Sequence, residues 1–171
     1  RKDSIDFCDY KLKVWSAPVS DPTKWVCHGD IFRSRDGHDS PSDVDWTDEL
    51  LFAPDVVERG GKYYLYAYIV NAKGCVAVAD RPEGPFRLLS RYKYDIPNHY
   101  DNGTFIDPGV LVDDDGRVYL VYGGGQIWCV ELEKDLSAVK PGTKRKLIED
   151  AGLAKGCLAE GSHVYKMNGY Y

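Results

Sequence analysis

The chain of 171 residues carries a formal net charge of −5, with acidic and basic residues mixed along its length. A nucleic-acid partner would require a basic face, and none is evident, so we expect no nucleic-acid partner. No apolar run approaches the roughly 18 residues that a membrane-spanning helix needs, so we expect no membrane partner. Tyr (13 residues) and Gly (17 residues) are abundant, which favours strands and tight turns over helices.

The five cysteines are scattered, odd in number and without a C-x-x-C pair. This pattern argues against a disulfide framework and against a zinc site. We expect Cys75 and Cys129, which lie in predicted strands, to be buried reduced thiols. Five cysteines without evident pairing slightly favour the cytoplasm over secretion.

Predicted strands and glycine turns repeat along the chain. Strands are predicted, in chain order, at 13–16, 56–58, 62–66, 76–79, 110–112, 117–121, 127–130 and 164–166. Three turns, typical of two-residue hairpins in which Gly accepts positive φ, are Gly60-Gly61, Asp115-Gly116 and Asn168-Gly169. The glycines at the second position of these turns recur at intervals of 55 and 53 residues. Long amphipathic runs are lacking, so this period favours the four-stranded blade of a β-propeller over a helical repeat.

We therefore predict an all-β fold, a partial β-propeller in which about three blades are represented. The predicted division is 1–32 for the end of a first blade, 52–90 for a second, 105–149 for a third and 159–171 for the start of a fourth.

Two acidic residues occupy equivalent positions in successive repeats. Asp107 lies nine residues before Gly116, and Glu160 lies nine residues before Gly169. Ala53 lies eight residues before Gly61. Each of these residues begins the first strand of its repeat, and in a propeller we expect that strand to line the central channel. Asp107 and Glu160 should therefore face each other across or beside the channel.

Five segments in this order resemble glycoside hydrolase family 43, over roughly residues 10–171. They are Ala53-Pro54-Asp55-Val56, the stretch 78–86, Ile106-Asp107-Pro108-Gly109-Val110, the 113–116 turn and Glu160-Gly161-Ser162-His163-Val164. The resemblance implies a five-bladed propeller and inverting hydrolysis, mostly of α-L-arabinofuranosides and β-D-xylosides. The implied partner is a carbohydrate, a pentose oligosaccharide from plant cell-wall polysaccharide. The resemblance also allows a structural calcium ion in the central channel, and no other cofactor is expected.

The resemblance assigns roles to the two acids. Asp107 matches the pKa-modulating Asp of an Ile-Asp-Pro motif, and Glu160 matches the general acid of a Glu-Gly-x-His motif. A neighbouring carboxylate raises the pKa of a general acid by like-charge repulsion and keeps it protonated. Counting back along the repeat places the general-base Asp about ten residues before Arg1. We therefore expect the chain by itself not to be a competent enzyme.

Four residues are predicted to contact substrate or frame its site: Trp46, Phe52, Asp55 and His163. The loop 33–51 is about ten residues longer than its counterparts, and such loops carry specificity. Trp46 and Phe52 are therefore candidates for stacking on a sugar ring. The resemblance makes Asp55 a structural hydrogen-bonding residue near the site. For His163, a packing or hydrogen-bonding role and a substrate contact both stay open.

Other conspicuous side chains are expected to be structural. Trp15, Trp25 and His28 are interpreted as core or blade-joint residues. Asp113, Asp114 and Asp115 form a turn signal with Gly116, which favours a hairpin over a calcium loop.

Two alternatives remain beside a family 43 hydrolase. One is a related five-bladed propeller that acts on fructosides or cleaves glycosides by phosphorolysis. The other is a degenerate, sugar-binding propeller without catalysis. The Asp107 and Glu160 pair argues against decay, and the residue at the expected base position upstream of Arg1 would decide, because Asp supports an enzyme whereas Ala or Gly supports a binding protein.

Overall fold

A computed structural model of the chain describes residues 9–37, 41–69, 74–91, 106–124, 127–147 and 161–171. These ranges contain β-strands and no helix, which confirms the all-β prediction. The strands are β1 (Lys11–Ser16), β2 (Val26–Arg33), β3 (Leu51–Arg59), β4 (Lys62–Ile69), β5 (Cys75–Ala79), β6 (Arg87–Arg91), β7 (Gly109–Val112), β8 (Val118–Tyr122), β9 (Trp128–Glu131) and β10 (Arg145–Lys146). Within the described part of the chain, no helix could cross a membrane.

The strands form three antiparallel sheets in which each strand pairs with the next along the chain. The first sheet contains β1 and β2, the second runs from β3 to β6, and the third from β7 to β10. A further hairpin, closed by the bridge between Met167 and Tyr170, follows near the end of the chain.

Two of the three predicted hairpin turns are confirmed. Gly60-Gly61 and Asn168-Gly169 are two-residue turns with positive φ at both positions. The prediction for Asp115-Gly116 is wrong, because the amide of Asp113 donates to the carbonyl of Arg117 and encloses three residues. The Asp115 carboxylate accepts the Arg117 amide at 2.9 Å. Only Gly116 adopts positive φ, as in a type I turn followed by a left-handed glycine.

The second sheet is buried on both faces because successive side chains of a strand point to opposite sides. On β4, Tyr66 and Tyr68 join a core with Leu120 and other residues of the third sheet. Leu65, Ala67 and Ile69 join a second core that includes Ile31 and Phe32 of the first sheet. Three sheets are thus stacked face to face with a separate apolar core at each junction.

The first sheet has one covered and one open face. Leu12 and Val14 pack against the second core, so alternation directs Trp15 to the other side, where it is 55% exposed. Trp25 is also exposed, as is His28, whose Nε2 lies 2.7 Å from the hydroxyl of Ser16. The interpretation of these side chains as core residues is therefore wrong, and their role at a blade joint stays a prediction.

Two of the cysteines test the expectation of buried thiols. Cys75 is fully buried, and burial raises the pKa of its thiol to about 12. Cys129 is half-buried. Both are free thiols, so Cys75 behaves as a small core residue, as expected.

The second and third sheets meet along their first strands, β3 and β7. At the hairpin end of this contact, the Arg59 guanidinium donates to the carbonyls of Gly116 at 2.9 Å and Lys134 at 3.3 Å. The opposite end carries the candidate site.

Leu120 tests the importance of the core between the second and third sheets. It is fully buried there, and replacing a core leucine by alanine costs about 2–5 kcal/mol. Leu120→Ala should lower the free energy of unfolding by that amount in urea denaturation. Leu89→Ala, in the exposed part of β6, should cost less than about 1 kcal/mol. Equal costs for the two variants would contradict this account of the core.

Candidate active site

Asp107 lies two residues before the start of β7 and has an unusual backbone conformation. Its φ is +46°, which is uncommon for a residue other than glycine. Before it, the carbonyl of Ile106 accepts a hydrogen bond from the amide of Gly123 at 2.9 Å. After it, Pro108 and Gly109 are buried. Asp107 itself is half-buried.

The equivalent residue of the preceding repeat has the same unusual feature. Ala53 also has positive φ, +21°, and the pairing of β3 with β4 is irregular between Phe52 and Asp55. Backbone outliers of this kind concentrate at functional sites. The shared conformation supports the equivalence of Ala53 and Asp107 that the spacing of the turns predicts.

Asp55 connects the first strands of the second and third sheets. Its Oδ2 accepts the amide of Val110 at 2.8 Å, and its Oδ1 accepts the amide of Val56 at 2.8 Å. The carboxylate thus satisfies a backbone donor three residues beyond Asp107. This hydrogen bonding fits the structural role that the family resemblance implies for Asp55, and a contact between Asp55 and substrate stays a prediction.

The segment that opens the fourth repeat lies directly against β7. A Cβ atom built on Gly109 would be 2.5 Å from the carbonyl oxygen of Ser162 and 3.7 Å from the Cα atom of His163, so only glycine allows this approach. Gly109 and Ser162 lie two residues after Asp107 and Glu160, respectively. Glu160 lies outside the described residues.

The remaining predicted contact residues lie in different environments. The His163 side chain is exposed, with its ring centroid 6.2 Å from that of Tyr165. Phe52 packs on the core between the second and third sheets, with its ring 5.8 Å from Tyr68. Trp46 packs instead on the core between the first and second sheets. The structure therefore does not place Trp46 and Phe52 on one core, and sugar stacking stays a prediction for both.

A charged cluster that sequence reasoning missed ties the fourth repeat to the third sheet. Asp113 is only 7% exposed, and its carboxylate lies 2.8 Å from Lys166 Nζ and 2.5 Å from the Tyr171 hydroxyl. Hydrogen bonds from Lys166 and Tyr171 lower the pKa of Asp113 to about 2, and the same contacts raise the pKa of Lys166. Asp113 and Lys166 each lie six residues after a candidate acid, which is the signal that could have revealed them.

The described residues do not form a metal site. Among them, no group of three or more His, Cys, Asp or Glu side chains could hold an ion. Residues 113–117 form a three-residue hairpin loop, and the Asp113 carboxylate binds Lys166 and Tyr171. The calcium ion that the resemblance allows in the central channel therefore stays a prediction.

Comparisons with known proteins agree with this architecture. Residues 9–171 match the family model for glycosyl hydrolases family 43. Xylosidase/arabinosidase 43A of Humicola insolens is 36% identical over 137 residues, 75% of this chain and 37% of that protein. An α-L-arabinofuranosidase structure from Clostridium thermocellum matches with a TM-score of 0.65 and 25% identity, covering 94% of this chain and 51% of that one. A family 43 enzyme from Xanthomonas citri complexed with xylotriose matches with a TM-score of 0.63 and 26% identity, covering 84% of this chain and 48% of that one.

The stacked antiparallel sheets are thus part of a β-propeller of the glycoside hydrolase class. The chain belongs to glycoside hydrolase family 43. It spans 37% of the curated relative and about half of the two solved structures.

Acid should weaken the attachment of the fourth repeat through Asp113. Its folded-state pKa of about 2 lies below the ordinary value of 3.8, so its charged form stabilises the fold above about pH 4, and this stabilisation is lost as the pH falls to about 2. In Asp113→Asn, stability at neutral pH should be lower, and the free energy of unfolding should fall less steeply over this pH range than in the wild type. Asp48→Asn, at an exposed carboxylate 3.7 Å from Arg35, should follow the wild-type curve. Equal slopes for Asp113→Asn and the wild type would contradict the assignment.

Proposed function

We propose that the full-length protein is an inverting glycosidase that hydrolyses α-L-arabinofuranosides, β-D-xylosides or both in fragments of plant cell-wall polysaccharide. Family membership supports a carbohydrate substrate, and relatives named xylosidase/arabinosidase and α-L-arabinofuranosidase support pentosides. In this proposal the full-length protein is a five-bladed propeller. The chain supplies the end of one blade (1–32), two further blades (52–90 and 105–149) and the start of another (159–171).

One observation carries the proposal for the catalytic pair. The Ser162 carbonyl lies against Gly109, and these two residues follow Glu160 and Asp107 by the same two positions. The segments that follow the two candidate acids are thus in backbone contact. We infer from this contact that Asp107 and Glu160 act as a pair.

The proposed reaction uses three carboxylates. Glu160, in its protonated form, donates its proton to the glycosidic oxygen as the bond to the anomeric carbon breaks. A water molecule attacks that carbon from the opposite face and loses a proton to the general-base Asp, which we place upstream of Arg1. The acid and the base must lie about 6.5–9.5 Å apart to leave room for this water. Asp107 keeps the pKa of Glu160 raised by like-charge repulsion.

Four further residues belong to the proposed site. Asp55 holds the inner strands together through its hydrogen bond to Val110. His163 lies in the segment against Gly109 and contributes to the site there. Trp46 and Phe52 are the proposed stacking surfaces for a sugar ring, and each residue is half-buried.

The general-acid role predicts a dependence on the leaving group. Glu160→Gln in the full-length protein should lower kcat on phenyl pentosides by about 10²–10⁴-fold. It should lower kcat on dinitrophenyl pentosides much less, because that leaving group departs without a proton. Glu58→Gln, at an exposed acid near the far hairpin, should behave as the wild type. A wild-type protein that hydrolyses no pentoside, or a Glu160→Gln variant with unchanged kcat, would refute the proposal.

The modulating role of Asp107 predicts a shift in the pH profile. Removing its negative charge lowers the pKa of the neighbouring acid, so Glu160 loses its proton at a lower pH. Asp107→Asn should therefore move the alkaline limb of the kcat profile to lower pH and reduce kcat at neutral pH. The measurement is kcat on a phenyl pentoside across the pH range, and an alkaline limb that stays in place would remove Asp107 from this role.

A further inference from the structure

Two residues of opposite charge lie at equal distances beyond the two candidate acids. Asp113 is six residues after Asp107, and Lys166 is six residues after Glu160. The structure joins them, because Lys166 Nζ lies 2.8 Å from Asp113 Oδ1. This ion pair connects two successive repeats, four residues beyond the close backbone contact between Gly109 and Ser162.

Both arms of one hairpin hold the Asp113 carboxylate. The Tyr171 hydroxyl donates to its Oδ2 at 2.5 Å, and Lys166 Nζ also lies 2.8 Å from Asp114 Oδ2. Lys166 and Tyr171 flank the Met167–Tyr170 bridge on opposite arms. A buried carboxylate is tolerated only when it is paired, so these contacts favour one position of the hairpin on the third sheet.

We propose that Lys166 and Asp113 are positioning residues for proton transfer by Glu160, because they hold the segment that follows Glu160 on the third sheet; this inference rests on the proposed function. With contacts at two points, the segment after Glu160 cannot slide along β7 without breaking the ion pair. A slip of one residue would turn every side chain of an extended segment to its other face. A displacement of about 1 Å in a reacting group can cost about a hundredfold in rate.

The test compares Lys166→Met with Lys166→Arg in the full-length protein, on phenyl and dinitrophenyl β-D-xylosides and α-L-arabinofuranosides. Met keeps an unbranched apolar stem without the charge, whereas Arg keeps the charge. In Lys166→Met, kcat on the phenyl substrate should fall at least about tenfold, because the proton donor is displaced. On the dinitrophenyl substrate it should fall less than about threefold, because no proton is needed. Lys166→Arg should retain the wild-type ratio of the two kcat values.

This ratio separates positioning from a general structural role. A loss of folded protein lowers both kcat values equally, so an unchanged ratio in Lys166→Met would overturn the proposal. Lys62→Met is the matched control, since Lys62 forms an exposed ion pair with Asp80 at 3.0 Å on the second sheet, and its ratio should not change. If Lys166→Met yields no soluble protein, Tyr171→Phe removes one donor from the same carboxylate. It should shift the ratio in the same direction by a smaller factor, and an unchanged ratio there also overturns the proposal.

Failure of this inference can be distinguished from failure of the proposed function. If Glu160→Gln leaves the ratio unchanged, Glu160 is not the general acid and both proposals fall. If Glu160→Gln lowers the ratio and Lys166→Met does not, only the positioning role falls.

Discussion

The arrangement of the candidate site depends on how closely the first strands of successive repeats approach one another. Asp55 on β3 accepts the amide of Val110 on β7, and Gly109 leaves room for the carbonyl of Ser162. A side chain at Gly109 would force that carbonyl away. Backbone contact at this point determines how the segment 161–171 lies against β7, and the proposed pairing of Asp107 with Glu160 rests on this contact.

Much of this arrangement could be predicted from the sequence, because glycine turns mark the hairpins and their spacing sets the register. The equal offsets of Asp107 and Glu160 follow from that register alone. The prediction of a two-residue turn at Gly116 is wrong, because the loop closes over three residues. In this loop the Asp115 carboxylate accepts the amide of Arg117. Turn composition specifies that a chain reverses, whereas local hydrogen bonds decide how many residues the reversal takes.

Other features could not be predicted because they depend on what lies opposite in space. Trp15 alternates with core-facing residues on β1 and points to an open face, whereas the sequence interpretation allowed a core or a blade-joint position. Trp46 and Phe52 come from one segment of sequence but pack on different cores. The ion pair between Asp113 and Lys166 joins residues 53 positions apart, and it becomes visible in sequence only when the repeats are aligned.

The two-sided burial of the second sheet has a consequence for biosynthesis. Leu65 and Ile69 face the first sheet, which is synthesised earlier, whereas Tyr66 and Tyr68 face the third sheet, which is synthesised later. During translation the face toward the first sheet can therefore be covered as soon as β4 is made. The face toward the third sheet stays uncovered until more than forty further residues have left the ribosome. An apolar surface exposed in this interval is open to self-association and to chaperone binding. The order of the sheets along the chain thus sets which surface of the nascent protein needs protection and for how long.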